Sequence, residues 1–120
     1  MKLPKELDIQ LLDQNHAMIT LFVCPELFWL KGHFPIQAIL PGVTQVTWVM
    51  HYAKTILKLT QPFKGIEKVK FQKPIFPEET IILTLKWHEQ THKLDFDYQT
   101  ANNQGASNGR IQLQKPSAAE

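Results

Sequence analysis

The chain contains the stretch Gly32-His33-Phe34-Pro35-Ile36-Gln37-Ala38-Ile39-Leu40-Pro41-Gly42-Val43, and a long apolar helical pattern follows it directly. A Pro-Gly pair is typical of the start of a helix, so we expect the helix to begin at Gly42 or Val43. The first amides of a helix lack intrahelical acceptors, and an imidazole titrates near neutral pH. The stretch therefore predicts an acid–base group, His33, close to free backbone N–H donors. Chemistry at a polarised carbonyl needs both.

The predicted helix extends to about Leu57. One apolar stripe with helical spacing consists of Val43, Val46, Met50, Ala53 and Leu57. Apolar side chains, Trp48 among them, also occupy the other faces. A helix that is apolar nearly all round is typically buried, so we expect this helix to lie inside the fold rather than on its surface.

After Pro62 the apolar residues recur with period two, which is typical of strands. We expect four strands in this half of the chain and two before the helix, within 8–12 and 16–24. Short turns between successive strands favour antiparallel pairing. The layout predicts an α+β domain in which one long buried helix packs against a curved antiparallel sheet.

Length and composition restrict the classes further. The 120 residues suffice for one domain, 1–120, with 115–120 expected to form a flexible tail. Thirteen Lys and Arg against eleven Asp and Glu give a net charge of +2, too small to predict a nucleic-acid partner. We expect no signal peptide and no membrane span, because the first ten residues and the remaining chain lack the necessary apolar runs.

Chemistry-bearing residue types outside the opening stretch are few. The single cysteine, Cys24, excludes an internal disulfide and fits a reducing cytoplasm, where we expect the protein to reside. The five histidines show no spacing typical of metal ligands, so neither a metal nor a cofactor is expected. Neither serine, Ser107 nor Ser117, lies in a nucleophile-elbow context.

This layout, with Gly32-His33-Phe34-Pro35 and then Pro41-Gly42-Val43, resembles the hotdog-fold 3-hydroxyacyl-[acyl carrier protein] dehydratases of fatty-acid synthesis. The resemblance is densest over 32–49 and continues through 70–77. The motif Leu-Pro-Gly-Val-x-Gln-x-x-Trp over 40–48 is closer still to the ApeI-like thioester dehydratases of aryl polyene synthesis.

The resemblance implies a hotdog-fold dimer in which a continuous sheet surrounds two central helices. The active site would lie between subunits, in an apolar tunnel that accepts an acyl thioester bound to acyl carrier protein or CoA. The partner would be a second copy or another hotdog subunit. By resemblance, His33 is the catalytic base and the amide of Gly42 polarises the thioester carbonyl, with Val43 bordering that position.

Three positions depart from the family pattern, and the milder two are Ile36 and Ala38, where the family has Gly and Pro. The third departure is the one that matters. The acidic residue of the family maps onto Thr47, whose hydroxyl supplies no proton of suitable pKa. Thr47 could hold a water or the substrate hydroxyl, and His51, one turn further on, could replace the acid or be a plain surface residue. Gln45 could orient a polar group at the site or satisfy buried backbone.

Three alternatives to an active dehydratase therefore stay open. The chain could be a catalytically weak or inactive subunit that binds an acyl chain or pairs with an active dehydratase. It could also be an isomerase that needs only one base, or an acyl thioesterase.

The resemblance also assigns substrate-binding positions, namely Phe34, Pro41, Val43, Trp48 and Phe71. The rings of Phe34, Trp48 and Phe71 would line or narrow the acyl tunnel, although such rings are core residues by default. Five lysines lie in segments near the expected tunnel mouth: Lys31, Lys64, Lys68, Lys70 and Lys73. They would form a basic rim for an acidic carrier protein, or simply a solvated strand face.

Overall fold

The computed structural model describes residues 3–25 and 39–115, which form six strands and one helix. The elements in chain order are β1 (Lys5–Asp13), β2 (His16–Phe22), α1 (Gly42–Thr55), β3 (Phe63–Phe71), β4 (Thr80–His88), β5 (Lys93–Thr100) and β6 (Gly105–Leu113). The predicted α+β class is confirmed, and α1 begins at the predicted residue. His33 and Phe34, and the predicted tail beyond Lys115, lie outside the described residues.

The six strands form a single sheet in the order β1-β2-β4-β5-β6-β3, and all five pairings are antiparallel. The expectation that each strand would be joined to the next by a short turn is wrong for β3. This strand pairs with β6 rather than β4, with Ile66 opposite Ile111. Residues 72–79 therefore carry the chain from one edge of the sheet to its middle, and β1 and β3 form the two edges.

The core lies between α1 and the inner face of the sheet. The period-two pattern is confirmed in β4, β5 and β6, whose alternate side chains are buried. Their large buried side chains are Ile81, Leu83, Leu85, Trp87, Leu94, Phe96, Tyr98, Ile111 and Leu113.

Helix α1 is buried on one face only. Gln45, Trp48, Val49, Tyr52 and Ala53 are buried against the sheet. A single sheet covers a helix from one side, and the part of the chain described here places nothing over the opposite face. The expectation of a helix buried all round is therefore wrong for the single chain. Val43, the first residue of the predicted stripe, is 81% exposed.

The edge strand β3 also exposes apolar side chains to solvent. Its exposed apolar side chains are Phe63, Ile66, Val69 and Phe71. They lie beside the open face of α1, so the two elements border a common groove. Among the described residues, no helix is both long and apolar enough to cross a membrane.

Candidate functional site

The N-terminus of α1 presents unpaired amides. Pro41 occupies the N-cap in an extended conformation and provides no side-chain cap, and the first intrahelical bond runs from the Gln45 amide to the Pro41 carbonyl at 3.1 Å. The amides of Gly42, Val43 and Thr44 donate to no acceptor within 3–25 or 39–115. No acidic residue lies in the first turn. The positive end of the helix dipole is therefore free to bind an oxygen that carries negative charge.

An apolar groove opens from this helix end. The cavity of about 540 Å³ is lined by Gly42, Val43, Val46, Thr47, Phe63, Ile66, Val69 and Phe71, and we call it the α1–β3 groove. A neighbouring cavity of about 530 Å³ shares Val46, Thr47 and Phe63 with it. This neighbour adds Met50, His51, Lys54 and Pro62 to the lining. Each volume falls in the range of small-molecule sites, and the lining is of the apolar kind that accepts an acyl chain.

Gly42 approaches the ring of Phe71 closely. A Cβ atom built on Gly42 would lie 2.6 Å from Cζ of Phe71, so any side chain at this position would have to displace the ring. Both residues also line a smaller cavity of about 210 Å³, together with Pro41, Gln45 and residues 72–74. Their contact therefore lies between the α1–β3 groove and the smaller cavity.

Thr47 lines the groove without offering an acid. Its hydroxyl donates to the carbonyl oxygen of Val43 at 2.8 Å, one helical turn back. His51 lies one turn further along the same face and lines the neighbouring cavity. Its ring also meets the ring of the buried Tyr52 edge-on, at 4.9 Å between centroids. Thr47 and His51 thus share a face, as their spacing predicted. Their roles in proton transfer stay predictions.

Gln45 is buried, and both the nitrogen and the oxygen of its side-chain amide form hydrogen bonds. Its Nε2 donates to the Leu40 carbonyl at 3.2 Å, and its Oε1 accepts from Ser107 Oγ at 2.6 Å. The hydroxyl of Tyr98 donates to the Gln45 carbonyl at 2.7 Å. Of the two interpretations of Gln45, the structure supports the one in which it satisfies buried backbone. It also ties the entry of α1 to β5 and β6.

The remaining predicted site residues fall into two groups. Pro41, Val43 and Phe71 lie at or beside the groove. Trp48 is fully buried between α1 and the sheet, so its part in a tunnel stays a prediction. His33 and Phe34 lie outside the described residues.

A second polar cluster lies on the outer face of the sheet, away from the groove. Asp95 accepts hydrogen bonds from Arg110 at 2.6 Å and contacts His88 Nε2 at 2.8 Å. Partial burial raises the pKa of Asp95, but the hydrogen bonds from Arg110 and His88 outweigh it and leave the pKa below its usual value. Within the described ranges, no group of three or more His, Cys, Asp or Glu side chains could hold a metal ion.

Comparison with known proteins assigns the family. The ApeI-like family model, described as ApeI dehydratase, matches residues 9–110. The chain belongs to the ApeI-like dehydratase family. The predicted hotdog fold and the resemblance stated above are confirmed.

Two solved structures resemble this ApeI-like chain over nearly its full length. One, "The Dehydratase Heterocomplex ApeI:P from Xenorhabdus doucetiae", is 46% identical with a TM-score of 0.85, covering 96% of this chain and 100% of that chain. The other, an uncharacterized protein from Erwinia carotovora subsp. atroseptica, is 41% identical with a TM-score of 0.83, covering 99% of this chain and 100% of that chain.

Curated enzymes match a shorter part. The 3-hydroxyacyl-[acyl-carrier-protein] dehydratase FabZ of Koribacter versatilis is 32% identical over 77 residues, which are 55% of this chain and 49% of that protein. The ApeI-like chain thus spans about half the length of the curated relatives it matches.

Sequence reasoning missed two members of the buried network. Ser107 was considered only as a nucleophile, and Tyr98 was not considered as a hydrogen-bond donor. The available signal was the period-two pattern of β5 and β6, which places both side chains on the inner face towards α1. A polar residue at such a position needs a hydrogen-bond partner, and Gln45 of this ApeI-like chain was the buried candidate.

Proposed function

We propose that the chain is one subunit of a hotdog acyl-thioester dehydratase, which removes water from a 3-hydroxyacyl group carried by acyl carrier protein or CoA. One observation carries the proposal. In a member of a dehydratase family, the uncapped amides of Gly42 and Val43 open directly onto an apolar groove of acyl-chain dimensions. The thioester carbonyl at the helix end and the acyl chain in the groove would use both features.

The chemical roles combine that placement with the role of base that the resemblance gives to His33. His33 accepts the proton from Cα of the substrate, and the electron pair moves towards the thioester carbonyl. The amides of Gly42 and Val43 donate to the carbonyl oxygen and stabilise its negative charge, aided by the helix dipole. The pair then forms the Cα–Cβ double bond as the hydroxyl on Cβ leaves. A proton is needed to release that hydroxyl as water.

The donor of this last proton is not Thr47. Its hydroxyl is bonded to the Val43 carbonyl, and a threonine hydroxyl does not ionise near neutral pH. A second, different hotdog subunit supplies the acid in this account. The similarity to a dehydratase heterocomplex supports a pair of unlike subunits. The open groove, which a partner would close against water, supports the presence of a second subunit.

The shape of the groove favours particular acyl groups. Its lining side chains are apolar apart from Thr47, and the Phe71 ring lies between the groove and the smaller cavity. A flat ring at this point accommodates a short or conjugated chain better than a branched one. We therefore propose unbranched or conjugated acyl thioesters, as in fatty-acid-like or aryl polyene synthesis, as substrates.

The test is the reversible hydration of a crotonyl thioester by the chain co-purified with its partner subunit. His33→Ala in this chain is expected to lower kcat about 10²–10⁴-fold, the usual contribution of a general base. His16→Ala, which changes a histidine on β2 far from the groove, is the matched control and is expected to leave kcat within about twofold. Unchanged turnover in a folded His33→Ala pair would contradict the proposal.

The second candidate function is an acyl-binding subunit without turnover, and Thr47 is the observation that favours it. Thr47→Glu, tested on the chain without its partner, separates the two candidates. The dehydratase proposal expects the wild-type chain to be weakly active and Thr47→Glu to raise its turnover. Thr55→Glu, at an exposed position near the other end of the same helix and outside the lining of both cavities, controls for added charge. Activity that appears only in the Thr47→Glu variant, and not in the wild-type pair, would favour the binding subunit.

A further inference from the structure

We propose that the β3 edge of this chain disfavours pairing with its own copy and selects a subunit whose edge strand carries net negative charge. The inference rests on the proposed function insofar as that function requires an unlike hotdog partner. It adds a structural reason why the partner would differ from this chain, namely three lysines on the edge strand β3.

The lysines of β3 form no ion pair with another part of the described chain. Lys64, Lys68 and Lys70 are exposed, and none forms an ion pair with a residue in 3–25 or 39–115. The one acid of the strand, Glu67, is occupied by Lys93 at 2.8 Å. The hydrogen bond from Lys93 lowers the pKa of Glu67, so this carboxylate stays ionised and engaged.

Symmetry makes this charge a problem for self-pairing. Two copies of an edge strand joined about a two-fold axis run antiparallel, so residues equidistant from the axis lie opposite each other. An axis at Lys68 places this lysine opposite its own copy, and an axis at Val69 places it opposite Lys70. An axis at Glu67 places Lys64 opposite Lys70, because each lies three positions from Glu67. Opposed side chains lie about 4.5–5.5 Å apart, where like charges destabilise the pairing.

Two irregularities of β3 act in the same direction. The register with β6 shifts between Phe63 and Gly65 and again between Ile66 and Lys68. Bulges increase the local twist of an edge, and edge lysines are a known means of preventing unwanted strand addition.

The same strand nevertheless exposes apolar side chains that a partner would bury. Phe63, Ile66, Val69 and Phe71 are between 37% and 52% exposed and adjoin the open face of α1. A second subunit with an acidic edge strand suits both the apolar side chains and the lysines of β3, because it would bury the former and neutralise the latter. An acidic carrier protein bound at the lysines would leave the apolar side chains of β3 exposed. We therefore favour the subunit as occupant.

The experiment measures association of the full-length chain by sedimentation velocity, alone and mixed with a Lys68→Glu/Lys70→Glu variant. We expect wild-type and variant to bind each other at least about tenfold more tightly than either binds itself, because opposite charges then face each other. This preference should weaken as the salt concentration rises from about 0.05 M to about 0.5 M. Lys5→Glu/Lys86→Glu, with equal charge change on exposed positions of β1 and β4, should show no preference.

Two results would overturn the inference. One is a wild-type chain that self-associates as tightly as the mixture. The other is a pair of glutamate substitutions that lowers affinity for carrier protein and leaves subunit association unchanged, which would assign the lysines to carrier docking. Either result is distinguishable from failure of the proposed function, because turnover of the co-purified pair and its loss with His33→Ala are measured independently.

Discussion

Gly42 and the ring of Phe71 touch at the start of α1, where a Cβ atom on Gly42 would lie 2.6 Å from Cζ of Phe71. Both residues line the α1–β3 groove and the smaller cavity beside it. The helix amides proposed to bind the thioester oxygen therefore lie next to the ring that separates the two cavities. Substitutions at either residue should change catalysis more than they change stability.

We expect Gly42→Ala to displace the Phe71 ring, because the ring is half-exposed and yields more easily than the helix backbone. The free energy of unfolding should change by less than about 1 kcal/mol, since alanine favours the helix and offsets part of the overpacking. Turnover of a crotonyl thioester should fall at least about tenfold through misplacement of the acyl group.

A second substitution provides the control for this contact. Phe71→Leu in the Gly42→Ala background should restore part of the lost turnover, because the smaller side chain makes room for the added methyl group. Purely additive effects of the two substitutions in a double-mutant cycle would contradict the contact.

The Gln45 network should contribute strongly to stability. Gln45→Leu leaves the buried Ser107 hydroxyl and the Leu40 carbonyl without a partner, at an expected cost of about 2–4 kcal/mol in urea unfolding. Adding Ser107→Ala should recover part of this loss, because one orphaned group is then removed. A Gln45→Leu chain as stable as wild type would refute the structural role.

The two buried tyrosines should respond in opposite directions to loss of their hydroxyls. The Tyr52 hydroxyl is buried with no hydrogen-bond partner among the described residues, whereas that of Tyr98 donates to the Gln45 carbonyl. Tyr52→Phe should raise the free energy of unfolding by up to about 1 kcal/mol, and Tyr98→Phe should lower it by about 1 kcal/mol. Denaturant midpoints of the two variants check this, and equal shifts of the same sign would contradict it.

Alkaline pH should destabilise the fold through the same pair. Burial raises the pKa of both phenols above their usual value. The charge of Glu6 raises the pKa of Tyr52 further, and Tyr52 raises the pKa of Tyr98 further. The unfolded chain ionises near pH 10, while the folded chain still holds its phenolic protons. The two phenols therefore leave the free energy of unfolding unchanged below about pH 10, and they lower it as the pH rises above that value. Unfolding midpoints across this range should decline less in Tyr52→Phe than in wild type, and identical declines would contradict the assignment.

Local patterns were sufficient to predict much of the fold. The Pro41-Gly42 pair located the start of α1, and alternation in β4 and β5 identified their buried faces, because helix entry and strand burial depend on residues close in sequence. The position of β3 could not be predicted in this way. Its pairing with β6 is decided by non-local packing such as that of Ile66 and Ile111.

The site shows the same division. Gly42 and Thr47 followed from a contiguous motif, and the structure places both on the groove. The partner of Gln45, Ser107, is 62 positions away in sequence, and no spacing rule connects them. The open face of α1 could not be foreseen either, because an apolar pattern indicates burial without saying whether the same chain or a second one covers it.

The central claim is that the acyl thioester binds along α1 and β3 with its carbonyl at the amides of Gly42 and Val43. The most direct measurement is a methyl NMR titration of this chain, labelled within its complex, with a non-reactive 3-hydroxyacyl amide of pantetheine. We predict shifts at methyl groups of Val43, Val46, Ile66 and Val69. We predict none at Leu7 and Ile9, which are also exposed and apolar but lie on β1 at the other edge of the sheet. Shifts confined to β1, or none in the groove at saturating ligand, would contradict the account.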